Sequence, residues 1–385
     1  MYRQAAVAGV GESTYYLRGS SPHSAFQLAC LAIRSAVEDA GLELRQIDGL
    51  VSYLEPLVVP PKLAAALGFE HLDFSAQTWG WGGNGVASAI AIADAAVTAS
   101  YAKHVVVYRA LRQTEKERFG RSAAVPRVRG DYAYTAPYGL VTAAQVGAMQ
   151  TRRFMHEHRI GQEALAEVAL ASYAHAQHNP RALKRGKPLT RAMYHESRWI
   201  AEPFHVYDCC QENDGAAAVV VTTLERARDL RKRPVPIIAA AQGLDHRDGL
   251  GAFNEPRFPT AHYRRVGELL WQRAGVRASD IDVAQFYENF TGCVLMAIAE
   301  LGFCEAGDVE GFVSNENIQW PTGRLPINTS GGNLAEAYVH GFENVNEAVR
   351  QVRGESTCQV DDVDLSLSVS APGYAPGSAV LFCRH

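Results

Sequence analysis

Residues 40–53 read AGLELRQIDGLVSY and residues 274–287 read AGVRASDIDVAQFY. The two stretches align without a gap, with Ala-Gly at the head, Ile-Asp in the middle and Tyr53 or Tyr287 at the end. Each predicts the end of a helix, a glycine cap at Gly41 or Gly275, a short loop and then a strand that ends in the tyrosine. The same offset lays AAVAGVGES, from Ala5, over AAAQGLDHR, from Ala239, which predicts two strands ending at Gly9 and Gly243. One register that holds across a strand and a later helix–strand unit marks an internal duplication.

A third echo pairs WGWGGNGVASAIAIADAAV with NTSGGNLAEAYVHGFENVNEAV, where Gly82-Gly83-Asn84 and Gly331-Gly332-Asn333 each precede a helical stretch at a longer offset. Each half then reads strand, helix, strand, glycine-rich turn, helix, strand, with further strands at HVVVYRA and AAAVVVTT. The expected fold is a duplicated α/β protein with helix-covered sheets, its halves spanning about 1–230 and 231–385. Between about Tyr108 and Ala201 lies an insertion with a basic stretch, RFGRSAAVPRVRG, and a helical pattern at AAQVGAMQTRRFMHEH. Its place, leaving the sheet and returning before another strand, suits a loop domain over a site.

With 385 residues, 47% hydrophobic and 20% charged, the chain can build a large core. A net charge of −4 gives no reason to expect nucleic acid or an anionic membrane as the main partner, since both call for a basic excess. The start, MYRQAAVAGVGES, lacks the long apolar region of a secretory signal. No run approaches the ~18 apolar residues of a membrane span, so a cytoplasmic, soluble protein is expected. Seven thinly spread cysteines without a CxxC pair fit reduced thiols, and no metal site is expected.

These motifs resemble the thiolase superfamily over nearly the whole chain. NTSGG is similar to a signature in which Asn-x-x-Gly-Gly leads, after four more residues, to Gly-His-Pro; counting from Asn328 puts Ala337 at that glycine and Tyr338 at that histidine. QFYENF resembles the superfamily's Asn-Glu-Ala-Phe or His-Asp-Cys-Phe box, with Tyr287 at its first residue, and YDCCQENDGAAAVVVTT resembles the strand closing the first half. The fold implied is a layered α/β/α/β/α core. The departures are chemical. The nucleophilic cysteine of a thiolase would stand at the helix start after WGWGGNG, where Gly82 or Gly83 is found, and no cysteine occurs from Leu31 to Asp208. The second thiolase cysteine is likewise missing from VSAPGYAPGSA. Without these thiols, neither an acyl-enzyme nor the usual Claisen proton shuttle is available.

DCCQENDGA, FYENF, LGFC and GNLAEAYVHG resemble, within that superfamily, the thiolase-like lipid-transfer proteins of bacterial steroid catabolism that act as side-chain aldolases. The implied reaction is retro-aldol cleavage of a bulky β-hydroxyacyl-CoA, a steroid one by that resemblance, to a ketone and a short acyl-CoA, with the CoA thioester as substrate and no permanently bound cofactor. The resemblance also implies a homodimer, formed through the strand and helix after the first glycine-rich turn. It further implies a separate OB-fold partner, often carrying a zinc ribbon, in a heterotetramer. Cleavage needs a base for the hydroxyl proton, donors for the enolate and an acid for its carbon. Tyr338 and Tyr287 are the expected pair, with backbone N–H groups at Gly82, Gly83 and Gly373 as donors.

Each candidate has a plainer reading beside it. Tyr338 or Tyr287 can simply pack, as counterpart Tyr53 suggests. His340, two residues past the counted histidine position, is either a catalytic partner or a structural group at a helix start. Cys209 and Cys210 are either displaced nucleophiles of an acyltransferase or small buried hydrophobes. His175 and His178 have metal-like spacing but no third ligand. Arg118, Arg121, Arg127 and Arg129 either meet the CoA phosphates or form a solvated face. A non-catalytic acyl-CoA carrier stands as the other alternative.

Overall fold

The computed structural model describes residues 4–53, 58–80, 82–113, 128, 130–245, 257–314, 316–371, 373 and 376–385. Strand β1 (Ala5–Glu12) leads through β2 (Tyr16–Leu17), helix α1 (Ala25–Ala40), β3 (Gly49–Tyr53), α2 (Pro60–Leu67), β4 (Phe74–Thr78) and α3 (Val86–Thr98) to β5 (His104–Leu111). The chain then leaves the sheet for α4 (Ala143–His158), α5 (Gln162–Ala176), α6 (Arg191–Glu196) and a hairpin, β6 (Trp199–Ala201) with β7 (Phe204–His205). It returns in β8 (Asn213–Thr223) and turns through α7 (Leu224–Ala227). The second copy runs β9 (Val235–Gly243), α8 (Arg264–Ala274), β10 (Val283–Gln285), α9 (Thr291–Glu300), α10 (Val309–Val313), α11 (Phe342–Arg353), β11 (Leu365–Ser370) and β12 (Gly377–Cys383).

The repeat is explicit in the topology. Strands lie in the order β10-β11-β12-β9-β1-β8-β5-β3-β4, and the two copies meet where β1 runs antiparallel to β9 through Ala6–Pro236 and Val7–Val235. On either side of that seam the pairing matches. β3–β5 and β10–β11 are parallel, and β5–β8 and β11–β12 are antiparallel. The parallel neighbour β4 has its counterpart in the bridge between Ala284 and Ile327. The shared Ile-Asp also does one job twice. Asp48 accepts from Lys103 N and His104 N at the head of β5, and Asp282 accepts from Asp364 N and Leu365 N at the head of β11. Gly41 and Gly275 both cap their helices with left-handed φ, of 74° and 70°.

Three hydrophobic layers hold the sheet. α1 and α2 cover one face of the first copy, and α4, α5, α8 and α9 cover the outer face of the second. α3 and α11 share the middle layer with side chains from both copies, including Val51, Val107, Val283 and Val380. α3 fits there because Val86, Ala89, Ile90, Ala93 and Val97 recur at helical spacing and are all buried. The layered α/β architecture expected from the sequence is present.

Three local expectations are corrected. β1 does not end at Gly9 but runs to Glu12, because Gly9 serves close approach and not a turn: a Cβ there would lie 2.1 Å from the Ala36 carbonyl oxygen of α1. β10 ends at Gln285, which leaves Tyr287 in the loop beyond the strand. The second glycine-rich turn does not open directly into a regular helix. It forms a π-helical turn over Gly332–Glu336, breaks, and resumes as α11 only at Phe342.

Candidate active site

The break between the π-turn and α11 carries Tyr338 and His340. Asn328, at a left-handed φ of 48°, ties this turn to the end of β10: its amide oxygen accepts from Phe286 N at 2.6 Å and its nitrogen donates to Phe286 O at 3.1 Å. Asn333 accepts from Glu288 N at 2.8 Å, and Glu288 in turn accepts from Leu334 N at 3.1 Å and from the Ser172 hydroxyl of α5 at 3.0 Å. After the turn, Tyr338 N donates to the Asn213 side chain at 2.6 Å and Val339 N to Glu343 at 3.0 Å. The segment is therefore fixed by buried polar side chains drawn from β8, α5, α11 and the β10 loop.

This scaffold brings the two predicted tyrosines together. Their hydroxyl oxygens are 2.6 Å apart, and their rings are tilted 58° at a centroid separation of 5.8 Å. Both side chains are buried, at 1% and 6% exposure. Burial, the largest influence on each, pushes both phenols well above their ordinary range. The pair therefore rests as two neutral phenols, each able to donate or accept. The Tyr338 hydroxyl also lies near the Cys210 thiol.

The glycine-rich turn of the first copy lies directly against this pair. A Cβ on Gly83 would fall 2.1 Å from Tyr287 Cε2 and 2.7 Å from the His340 carbonyl oxygen. Gly82 has a left-handed φ of 56°. Gly373, also left-handed at 77°, sits beside Cys293 Sγ and Gln150 Oε1. His340 is not at a helix start but in a left-handed turn, φ 52°, before Gly341, with its ring 5.2 Å from that of Tyr338.

Two residues outside the expected set complete the surroundings. Arg109 of β5 is buried, reaches His340 Nδ1 at 3.2 Å and donates to Tyr53 O at 3.3 Å. Asn213 anchors Tyr338. A lone arginine inside HVVVYRAL was the available sequence signal for the first; nothing local marked the second. Tyr53 packs, stacking on Phe342 at 6.2 Å, but also donates its hydroxyl to the His340 carbonyl oxygen at 3.2 Å.

The remaining candidates separate. Burial raises the Cys210 thiol well above its usual range and, with the Asp208 carboxylate, also raises Cys209, so both stay protonated and poor nucleophiles. His175 is pushed down to about 4, first by burial; its Nδ1 lies 3.2 Å from Asn328 O and its Nε2 accepts from Trp320 N at 2.9 Å. That fills both ring nitrogens with structural bonds. Among the described residues no group of three metal-ligating side chains is assembled. Arg118, Arg121, Arg127 and Arg129 lie outside the described residues.

The chain matches the thiolase C-terminal domain-like family over residues 245–383. It is 38% identical to a steroid side-chain-cleaving aldolase of Thermomonospora curvata, over 98% of this chain and 97% of that protein. It is 36% identical to the 17-hydroxy-3-oxo-4-pregnene-20-carboxyl-CoA lyase of Mycobacterium tuberculosis, over 98% and 99%. Among solved structures, an Ltp2-ChsH2(DUF35) aldolase superposes with a TM-score of 0.92 at 38% identity, covering 99% of this chain and 98% of that one. The absent thiolase cysteines, the buried tyrosine pair against the first glycine-rich turn and this full-length similarity lead to one assignment: the chain belongs to the thiolase superfamily, in its branch of thiolase-like steroid side-chain-cleaving aldolases.

Proposed function

We propose that this chain is a carbon–carbon lyase that cleaves a bulky β-hydroxyacyl-CoA bearing a tertiary alcohol, in a retro-aldol step that releases a ketone and a short acyl-CoA. The names of its relatives point to a steroid as the bulky part. The observation that carries the reading is the 2.6 Å contact between two buried, neutral phenols in a site that lacks both thiolase thiols.

That contact supports a relay. The substrate hydroxyl gives its proton to one phenol oxygen, that phenol gives its own proton to the second, and the second protonates the α-carbon. The bond between the carbinol carbon and the α-carbon breaks. In the same concerted step its electron pair moves through an enolate-like transition state into the new C–H bond at the α-carbon, while the carbinol becomes a ketone and each phenol gains one proton as it gives one up. Neither tyrosine ionises, which matches a site whose burial disfavours tyrosinate. The order of the two in the relay is open, since either hydroxyl can donate to the other.

Retro-aldol assay on a tertiary β-hydroxyacyl-CoA, with the partner protein added, tests the reading. Ketone and short acyl-CoA should form, Cys209→Ala and Cys210→Ala should leave cleavage largely intact, and Tyr338→Phe should not. Loss of activity on cysteine alkylation would return the acyltransferase alternative. Tight acyl-CoA binding without turnover, partner present, would return the carrier.

For the CoA moiety, the groove of about 740 Å³ on α4 offers Arg152, Arg153 and His156 beside Met149 and Phe258, which suits a diphosphate carried next to an adenine ring. For assembly, β5 is flanked by β8 and β3 and α3 lies in the middle layer, whereas among the described residues β4 pairs only with β3 and Trp79 just beyond it is 64% exposed, which supports a homodimer across the β4 edge and not through the strand and helix after the turn. The ChsH2(DUF35) component of the solved relative supports the expected separate OB-fold partner. A cytoplasmic setting remains our reading; among the described residues no helix is long and apolar enough to cross a membrane.

A further inference from the structure

Arg109 stands in the middle of an otherwise largely apolar strand and is 4% exposed. Burying a guanidinium is costly unless its donors are used. Here one nitrogen donates to Tyr53 O at 3.3 Å, another lies 3.2 Å from His340 Nδ1, and the guanidinium carbon sits 5.6 Å above the Tyr53 ring. Tyr53 in turn holds the His340 carbonyl oxygen at 3.2 Å. Strands β3 and β5 of the first copy thus grip a histidine that belongs to the second.

A guanidinium has donors and no acceptor. His340 Nδ1 must therefore accept, and a proton on that nitrogen would set N–H against N–H at 3.2 Å. A neutral ring bonded this way carries its proton on Nε2. We infer that Arg109 is a positioning residue for the cleavage reaction: together with Tyr53 it fixes His340 as a neutral imidazole, protonated on Nε2, beside the Tyr338 phenol. Among the described residues, the groups facing the ring include Arg109 from β5, Tyr53 from β3 and Tyr338 within its own segment, with Tyr287 and Glu343 one residue further out. Burial, and then the Arg109 charge, hold the imidazole well below its usual range. A ring in this state offers an N–H and no lone pair at Nε2. His340 thus acts as a donor to charge building on the thioester oxygen, and proton transfer stays with the tyrosines. That role in turnover rests on the retro-aldol reading; the state of the ring does not.

The test is nitrogen NMR of the full-length protein with ¹⁵N-histidine, His340→Gln identifying the signal. The wild-type ring should be the neutral Nε2–H tautomer at pH 7 and should stay neutral to below the ordinary histidine value of about 6.5. Arg109→Met should mix the tautomers and move protonation to higher pH. It should also bring in an acid limb in kcat and lower kcat by roughly 10–100-fold at little change in KM, the scale of one hydrogen bond to a charged group. Arg109→Lys, with the charge but not the fork, should recover part of this. A wild-type ring that is Nδ1–H or cationic at pH 7 overturns the inference. So does a folded Arg109→Met that keeps both the tautomer and the pH profile. Because the ring is read without substrate, the wild-type spectrum decides the matter even where the variant does not fold. A failed cleavage assay with the expected tautomer would count against the aldolase reading alone.

Discussion

A phenol pair at 2.6 Å concentrates the chemistry of this site in two oxygen atoms. Tyr338→Phe keeps the ring and its packing while removing one relay oxygen, so the melting temperature should change little and turnover should fall by roughly 10²–10⁴-fold, the usual worth of a general acid or base. Tyr287→Phe should act similarly. The double variant should lose less than the product of the two, because the hydroxyls work as a unit. Additive losses in that cycle would count against a relay. The same pair sets the alkaline behaviour. With both phenols pushed up by burial, they stay protonated through neutral pH, and the pH profile of kcat/KM should show no tyrosine limb below the ordinary value of about 10. An alkaline rise centred near 7 would instead indicate a tyrosinate base.

The element that matters most is the irregular stretch from the π-turn to α11. It is held by buried carboxyls, with Glu288 and Glu343 each pushed up to about 8, chiefly by burial. A carboxyl whose folded value lies above its ordinary 4.5 adds stability below 4.5 and loses it as pH rises through 8. Glu343→Gln should therefore flatten the fall in melting temperature between about pH 5 and 8, measured calorimetrically; an unchanged slope would place the dependence elsewhere. The opposing turn is tested sterically. Gly83→Ala puts a methyl group into the Tyr287 ring, so it should displace the tyrosine and suppress cleavage while costing about 1–3 kcal/mol of stability. A fully active Gly83→Ala would show that the ring position is not critical.

At the scale of the molecule, the duplication makes one site from two copies. The second copy supplies Tyr287, Tyr338 and His340. The first supplies Gly83, Tyr53, Arg109 and, at the head of β8, Asn213. Helices α4 and α5, which leave the first copy, pack into the hydrophobic layer of the second, and α5 reaches the π-turn through Ser172 and Glu288. The outer edge at β4 gives the assembly prediction. Sedimentation at micromolar concentration should find a dimer, shifted toward monomer by Trp79→Glu; a wild-type monomer would remove the homodimer from the reading.

The duplication and the capped helix–strand units were legible in local order along the chain, and motif resemblance singled out Tyr338 and Tyr287. Glycine caps, hydrophobic period and motif spacing act within a few residues and survive in a linear string. The absence of both thiolase cysteines was legible for the same reason. What the string does not carry is which partner fills a given space. Gly9 reads as a strand end until α1 is seen pressing on it, and NTSGG reads as a helix start until buried Glu288, Glu343 and Asn213 bend the backbone into a π-turn and a left-handed step. The phenol contact, the neutral state of both tyrosines and the grip of Arg109 on His340 depend on desolvation and on groups distant along the chain, 51 residues apart for the two phenols and 231 for Arg109 and His340. Only the packed molecule decides those.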